Sequence, residues 1–189
     1  MASKIEKKIY LIFDRDGTLI EDKHYLSDPS EIVLLPDVKS SLQSLKNAGF
    51  QLYIHSNQSG VARGYFTKEQ AEICMNVFLQ QLGFSKDFFK KICISYGLDE
   101  KVDVLRKPSP FFANQIIKNN NCKPDSVYYI GDRISDLQAA FNAGCNGLGV
   151  DTGPIKLREE IIKYPNLSNY IIFDTFREVA EYLIETFNN

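Results

Sequence analysis

The sequence has no pair of cysteines close enough in the chain to clip a metal ion. Its four, Cys74, Cys93, Cys122 and Cys145, stand about twenty to thirty residues apart, which excludes a zinc-site spacing; they read as reduced, mostly buried thiols. Long apolar runs are missing too. Stretches such as Ile9 to Phe13 fall far short of the ~20 residues that cross a bilayer as a helix, so no membrane partner is expected. The opening residues, Met1-Ala-Ser-Lys-Ile-Glu-Lys-Lys8, lack the apolar centre of a secretory leader, and a cytoplasmic location is the default. Nor is there an excess of positive charge. With 22 Lys and Arg against 24 Asp and Glu, the net charge is −2 and the cations are scattered, so no nucleic-acid partner is expected. Low-complexity stretches, internal repeats and linkers are also absent. A chain of 189 residues then suits one domain, 1–189, with its own core.

What is present is an alternation of β-rich and helical segments. Lys8 to Phe13 reads as a strand apolar on both faces, as in the middle of a parallel sheet. Asp37 is placed to cap a helix carrying Val38, Leu42 and Leu45 and closed by Gly49. Strands are expected at Gln51–His55, Ile92–Ser95, Ser126–Ile130, Asn146–Val150 and Tyr170–Phe173. Thr67-Lys-Glu-Gln70 has the form of a capping box, opening a helix with Ala71, Cys74, Phe78 and Leu82 on one face. Ser109-Pro110 supplies a cap residue and a proline at the first helical position. Further helices are expected over Ser135–Asn142 and from Phe176, whose stripe Val179, Ala180, Leu183, Ile184 and Phe187 reads as core. The pattern is α/β: a doubly wound, mainly parallel sheet with helices on both faces. Ligands of such sheets bind at the carboxyl ends of the strands.

Four polar clusters fall at those ends. Asp14-Arg15-Asp16-Gly17-Thr18 follows the first strand. Two carboxylates so close are costly in a cleft unless a cation offsets them, and Mg2+ prefers such oxygen ligands. One carboxylate can attack phosphorus, while the other protonates the leaving oxygen. Ser56-Asn57-Gln58-Ser59-Gly60 follows the second strand, where a hydroxyl and exposed N–H groups can hold phosphoryl oxygens. Arg106-Lys107-Pro108 offers a guanidinium that grips phosphate in two places and a compact ammonium. In Gly131-Asp132-Arg133-Ile134-Ser135-Asp136, Asp132 is suited to complete a metal site, and Asp136 either shares that work or caps and braces the loop. Each cluster alone also fits a turn or a solvated surface pair; their joint order and placement argue for one phosphate-handling site.

These motifs resemble those of the haloacid dehalogenase superfamily, from Asp14 to Asp136, and the resemblance covers nearly the whole chain. It implies Asp14 as nucleophile and Asp16 as acid/base, with Ser56 and Lys107 stabilising the phosphoryl group. It also implies Mg2+ on Asp14, Asp16 and Asp132, with a backbone carbonyl among the ligands. Phe13-Asp-Arg-Asp-Gly-Thr-Leu-Ile20, Ser56-Asn-Gln-Ser-Gly-Val-Ala-Arg-Gly64 and Arg106-Lys-Pro108 are similar to the heptose bisphosphate phosphatases of that superfamily. The histidinol-phosphate phosphatases share much of this, including Tyr25-Leu-Ser-Asp-Pro29. By the same resemblance Asp22, Tyr25, Asn57, Gln58, Ser59, Arg106 and Arg133 touch substrate, with Arg63 a weaker candidate. Both groups usually carry a zinc loop before Arg-Lys-Pro; here only Cys93 remains, so no zinc is expected and the pocket loop is altered.

Asp16 and Ser56 are 40 residues apart, and Ser56 and Arg106 are 50 apart. One helix and one strand use nearly half of the first gap and one of each lies in the second, so neither is expected to hold a helical cap module. Small loops, Asp22 to Pro29 among them, must then cover the substrate. The expected activity is hydrolysis of a small sugar phosphate by a monomeric enzyme, foremost the 7-phosphate of D-glycero-D-manno-heptose 1,7-bisphosphate. Histidinol phosphate, a nucleic-acid end, and a non-catalytic phosphosugar- or partner-binding module are the alternatives. His55, at a strand end, reads as a histidine satisfied by backbone rather than an acid/base. Gly147-Leu-Gly-Val-Asp-Thr-Gly153 has its third glycine misplaced for a dinucleotide loop and is not read as one.

Overall fold

The computed structural model describes residues 8–188; the opening residues Met1–Lys7, read above for a leader, lie outside it. In chain order the regular elements are β1 (Tyr10–Phe13), α1 (Val38–Asn47), β2 (Gln51–Asn57), α2 (Lys68–Leu82), β3 (Phe89–Ser95) and α3 (Phe111–Asn120). They continue with β4 (Val127–Gly131), α4 (Ile134–Asn142), β5 (Asn146–Val150), the single-turn α5 (Leu157–Glu160), β6 (Ile171–Phe173) and α6 (Phe176–Asn188). The strands form one parallel sheet in the order β3-β2-β1-β4-β5-β6. The doubly wound expectation holds, and β1 sits near the middle where the winding reverses.

The central strands are buried on both faces because alternate side chains feed two different cores. Leu11, Phe13, Leu52 and Ile54 point to one side, against Leu42 and Leu45 of α1, Phe78 of α2 and Val179 and Leu183 of α6. Tyr10, Ile12, Tyr53 and Tyr129 point to the other, against Phe112 and Ile116 of α3 and Ala139 and Ala140 of α4. The expected stripe of α6 packs as core throughout.

The local signals held where their backbone geometry was ordinary. Thr67 and Gln70 close a capping box at α2, and Gly49 follows α1 at φ 92°, a conformation that favours glycine. Asp37 does not cap α1 with its side chain: it sits in the left-handed region, φ 60°, where its carboxylate makes no cap hydrogen bond. Pro110 stands at the N-cap of α3 rather than at its first helical position; Ser109 Oγ still accepts from the Phe111 N–H at 3.3 Å. Between β1 and β2 there is a 3-10 turn at Pro29–Glu31 and then α1. Between β2 and Arg106 there are α2 and β3. Neither connection holds a cap domain among the described residues. No described helix is long and apolar enough to cross a membrane.

Candidate active site

The carboxyl ends of β1, β2 and β4 and the loop after β3 meet at one cleft of about 240 Å³. Asp14, Asp16, Asp22, Tyr25, Asn57, Gln58, Ser59, Arg106, Lys107 and Arg133, all expected at the site, line it. Asp14 directly follows β1, and its N–H donates to the Ile130 carbonyl of β4 at 2.9 Å, extending the ladder by one bond. Its carboxylate is buried, with Lys107 Nζ 2.7 Å from Oδ1. The same ammonium lies 2.5 Å from Asp136 Oδ1. Burial alone would favour a neutral lysine, but Asp136 and Asp14 outweigh it and hold the ammonium above the usual lysine range. Burial pushes the Asp14 carboxyl up to about 6 against the pull of Lys107, with Asp136 and Asp16 adding to the rise.

Lys107 is held at its backbone as well. The Asn57 side-chain amide pairs with it like a second peptide: Nδ2 donates to the Lys107 carbonyl and Oδ1 accepts from the Lys107 N–H, each at 3.1 Å. The peptide between Lys107 and Pro108 is cis. Asn57, expected on substrate, thus has its amide engaged with the loop that presents Lys107. The Gln58 amide likewise donates to Asp16 Oδ2 and to Ser56 Oγ, both at 2.8 Å. Ser56 Oγ lies 3.4 Å from Asp16 Oδ2.

The wholly buried Arg15 grips Asp16 through Nη2 and Oδ1 at 2.8 Å and Nε and Oδ2 at 3.0 Å. The Asp16 carboxylate, an expected metal ligand, is therefore turned to Arg15, Ser56 and Gln58, with 21% of the side chain open to the cleft. The carboxylates whose oxygens converge within 4.8 Å are Asp14, Asp132 and Asp136. Asp136 Oδ2 accepts from the Arg133 N–H at 3.1 Å. With the Lys107 ion pair this makes Asp136 the brace of its loop, one of the two roles left open for it.

Asp132 is nearly inaccessible, and burial raises its pKa well above the usual carboxylate range, with Asp14 and Asp136 adding to the rise. Thr18 Oγ1 donates to its Oδ1 at 3.2 Å. Its Oδ2 has no hydrogen-bond partner among the described residues. Three carboxyl groups thus converge in a buried place around one ammonium, and an Asp132 oxygen among them lacks a hydrogen-bond donor. That donor set fits a hard dication with oxygen ligands such as Mg2+.

Two glycines make this packing feasible. A Cβ on Gly17 would lie 2.3 Å from Asp132 Oδ2, and one on Gly153 would lie 2.1 Å from it. Gly17 also has φ +82°. Gly153 belongs to the segment whose dinucleotide reading was rejected. That segment instead closes the wall behind Asp132, and Thr152 Oγ1 donates to the Gly17 carbonyl at 2.5 Å. Neither Thr152 nor Gly153 was expected at the site, since only the β5 end placed beside β4 brings them there.

A loop from Glu21 to Val33 forms the outer wall. Its base is tied by the Glu21 N–H to the Val33 carbonyl and the Leu35 N–H to the Leu19 carbonyl. Its tip carries His24, Tyr25 and Leu26, which line the cleft. Arg133 Nη2 pairs with Asp22 Oδ2, and the Tyr25 ring meets the Tyr65 ring edge-on at 4.7 Å. Of the loop expected to cover the substrate, Asp22 to Pro29, the residues Asp22, His24, Tyr25 and Leu26 line the cleft.

His55 lies below the site. Its Nε2 lies 2.6 Å from the Leu105 carbonyl, and its Nδ1 contacts the Tyr129 hydroxyl. These partners set the tautomer: Nε2–H donates and Nδ1 accepts. Burial, with Lys107 nearby, lowers its pKa to about 3, so the ring is neutral and structural, as the sequence implied. All four cysteines are free thiols, and Cys93 is buried in β3.

The chain that carries this cleft, with a buried aspartate at the end of β1, an ammonium against it and an acidic cluster beside it, has relatives among known proteins. Residues 23–150 match the model of the haloacid dehalogenase-like hydrolases. The chain belongs to that family. A Helicobacter pylori D-glycero-beta-D-manno-heptose-1,7-bisphosphate 7-phosphatase is 30% identical over 85% of this chain and 94% of its own length. The histidine biosynthesis bifunctional protein HisB of Baumannia cicadellinicola is 33% identical over 76% of this chain and 41% of its own. Among solved structures, the D,D-heptose 1,7-bisphosphate phosphatase of B. bronchiseptica, complexed with magnesium and phosphate, superposes with TM-score 0.83 and 26% identity, covering 94% of this chain and 99% of that one. The chain is thus a phosphatase of the haloacid dehalogenase-like family.

Proposed function

We propose that this enzyme removes the 7-phosphate of D-glycero-D-manno-heptose 1,7-bisphosphate through an aspartyl-phosphate intermediate. The observation that carries the reading is the buried Asp14 carboxylate against Lys107, with Asp16 opening into the same cleft. The Asp14 carboxylate attacks phosphorus, and the ester bond to the sugar breaks. The electron pair goes to the leaving sugar oxygen, which takes the proton of the Asp16 carboxyl. Asp16, now a carboxylate, removes a proton from water, whose oxygen attacks the phosphorus of the aspartyl phosphate and frees Asp14 and inorganic phosphate. Arg15 and Gln58 fix the direction of Asp16 in both half-reactions. Lys107 and the Ser56 hydroxyl offset charge on the phosphoryl oxygens.

Asp14 and Asp132 would hold Mg2+, with Asp136 kept for Lys107. Bound there, the ion neutralises phosphoryl charge and lowers the repulsion between phosphate and carboxylates. Asp22, Tyr25, Ser59, Arg106 and Arg133 face the part of the cleft where the rest of the sugar phosphate would lie. The reaction would be a cytoplasmic step toward the heptose of a cell-surface glycan such as lipopolysaccharide, carried out by a monomer.

Phosphate release should be measured from both anomers of the heptose bisphosphate, fructose 1,6-bisphosphate, histidinol phosphate and a 3′-phosphorylated oligonucleotide, with Mg2+ and then with EDTA. The expected result is turnover of one heptose anomer above the rest, abolished by EDTA and by Asp14→Asn. Preference for histidinol phosphate, which the similarity to HisB brings into the panel, would overturn the substrate and keep the chemistry. Full activity of Asp14→Asn would overturn the mechanism.

A further inference from the structure

The loop between β3 and α3 carries Arg106 and Lys107 to the cleft, and the segment from Tyr96 to Lys107 contains no cysteine or histidine. One carboxylate organises it. Asp103 Oδ2 accepts from Ser95 Oγ at 2.7 Å, from the Gly97 N–H at 2.9 Å and from the Tyr96 N–H at 3.1 Å. Its Oδ1 accepts from the Leu105 N–H at 3.0 Å. Its backbone carbonyl accepts from the Arg106 N–H at 2.9 Å. A single residue thereby ties the buried end of β3 to both limbs of the loop.

Arg106 reads out this arrangement. Its Nη1 donates to the Gly97 carbonyl at 3.1 Å, and the peptides on either side of Gly97 are oriented by the Asp103 carboxylate and the tight approach to it. A Cβ on Gly97 would lie 2.4 Å from the Asp103 Cβ. The neighbours of Arg106 have other anchors: Leu105 through His55, Lys107 through Asn57. Among the described residues no side chain is hydrogen-bonded to the Arg106 guanidinium, which is held by the Gly97 carbonyl, so its direction depends on the loop.

We propose that Asp103 is a positioning residue that sets the Arg106 guanidinium at the cleft mouth, and through it the affinity for the part of the substrate remote from the reacting phosphate. The proposal rests on the reading of Arg106 as a substrate-gripping residue. Asparagine at 103 can present one oxygen where Asp103 presents two. Either the Oδ2 donors or the Leu105 N–H must then face an NH2 group, a contact between two donors.

The test compares steady-state kinetics of the wild type, Asp103→Asn, Arg106→Ala and the double variant on the heptose bisphosphate and on p-nitrophenyl phosphate, which lacks the sugar hydroxyls and the second phosphate. Asp103→Asn is expected to raise KM for the bisphosphate about tenfold and to change kcat about twofold or less, the split produced by lost uniform binding. Its effect on kcat/KM for p-nitrophenyl phosphate should be several-fold smaller. The double variant should be no worse than Arg106→Ala, because a residue that acts only through Arg106 has nothing left to direct. Ser95→Ala, which deletes one of the four carboxylate bonds, should shift KM in the same direction by a smaller factor and covers the case in which Asp103→Asn does not fold. Additive losses in the double variant, or equal losses on both substrates, would overturn the proposal. If Arg106→Ala raises KM and neither Asp103→Asn nor Ser95→Ala does, the positioning role fails alone. If Arg106→Ala has no effect on the bisphosphate, the reading of Arg106 fails and the positioning role with it.

Discussion

Replacing Lys107 by methionine keeps an apolar stem of similar length and removes the ammonium that lies 2.7 Å from Asp14 and 2.5 Å from Asp136. All three side chains are at least nine-tenths buried, so solvent cannot replace the lost cation. Deleting one partner of a buried ion pair typically costs about 3–5 kcal/mol, because the remaining charge is uncompensated. That range is expected for Lys107→Met at pH 8 in EDTA, read by urea unfolding. The cost should depend on pH with a definite sign. The Asp14 carboxyl is already raised to about 6 with Lys107 present, against about 3.9 for an unfolded aspartate. A raised carboxyl favours the folded state fully at pH below the unfolded value and loses that contribution as pH rises through the folded one. Removing Lys107 raises it further, so the gap between variant and wild type should close as pH falls from 8 toward 5. The closing rate is at most about 1.4 kcal/mol per pH unit for each proton taken up. Turnover should fall by about 10²–10³, the usual loss for a donor that stabilises developing charge. A cost under about 1 kcal/mol at pH 8, or one that does not change with pH, would refute the account of Lys107 as the cation that makes these carboxylates tolerable.

Two further outcomes can be checked. His55 is neutral in the fold down to about pH 3, whereas an unfolded histidine takes a proton near 6.5. Its contribution is therefore complete above pH 6.5 and declines below it by about 1.4 kcal/mol per pH unit. His55→Asn should flatten the pH dependence of urea stability between pH 6 and 4 by that slope, and identical slopes would disprove the buried neutral ring. Gly153→Ala places a methyl group 2.1 Å from Asp132 Oδ2 and should weaken Mg2+ binding, measured by calorimetry, by about 10- to 100-fold. Unchanged binding would remove Asp132 from the metal site.

The chain alone determined the order of strands and helices and the identity of the chemical groups. Both are local: a strand buried on two faces shows as the unbroken run before Asp14, and a capping box shows as Thr67 and Gln70. The polar motifs were legible because each stands directly after a strand, and parallel strands deliver their carboxyl ends to one edge. What each polar side chain does was decided only by tertiary structure. Asn57 and Lys107 are 50 residues apart, and Thr152 and Gly17 are 135 apart. Nothing in the local sequence says that the first pair forms a backbone clip or that the second closes the wall behind Asp132. Asp16 illustrates the same limit, because its carboxylate is gripped by its neighbour Arg15, while Asp136 joins Asp14 and Asp132 and pairs with Lys107. Asp37 failed as a side-chain cap because its backbone enters α1 from the left-handed region. Hydrogen bonds and ion pairs are short-ranged, so their partners are set by which loops the sheet brings together, and that is a property of the folded chain.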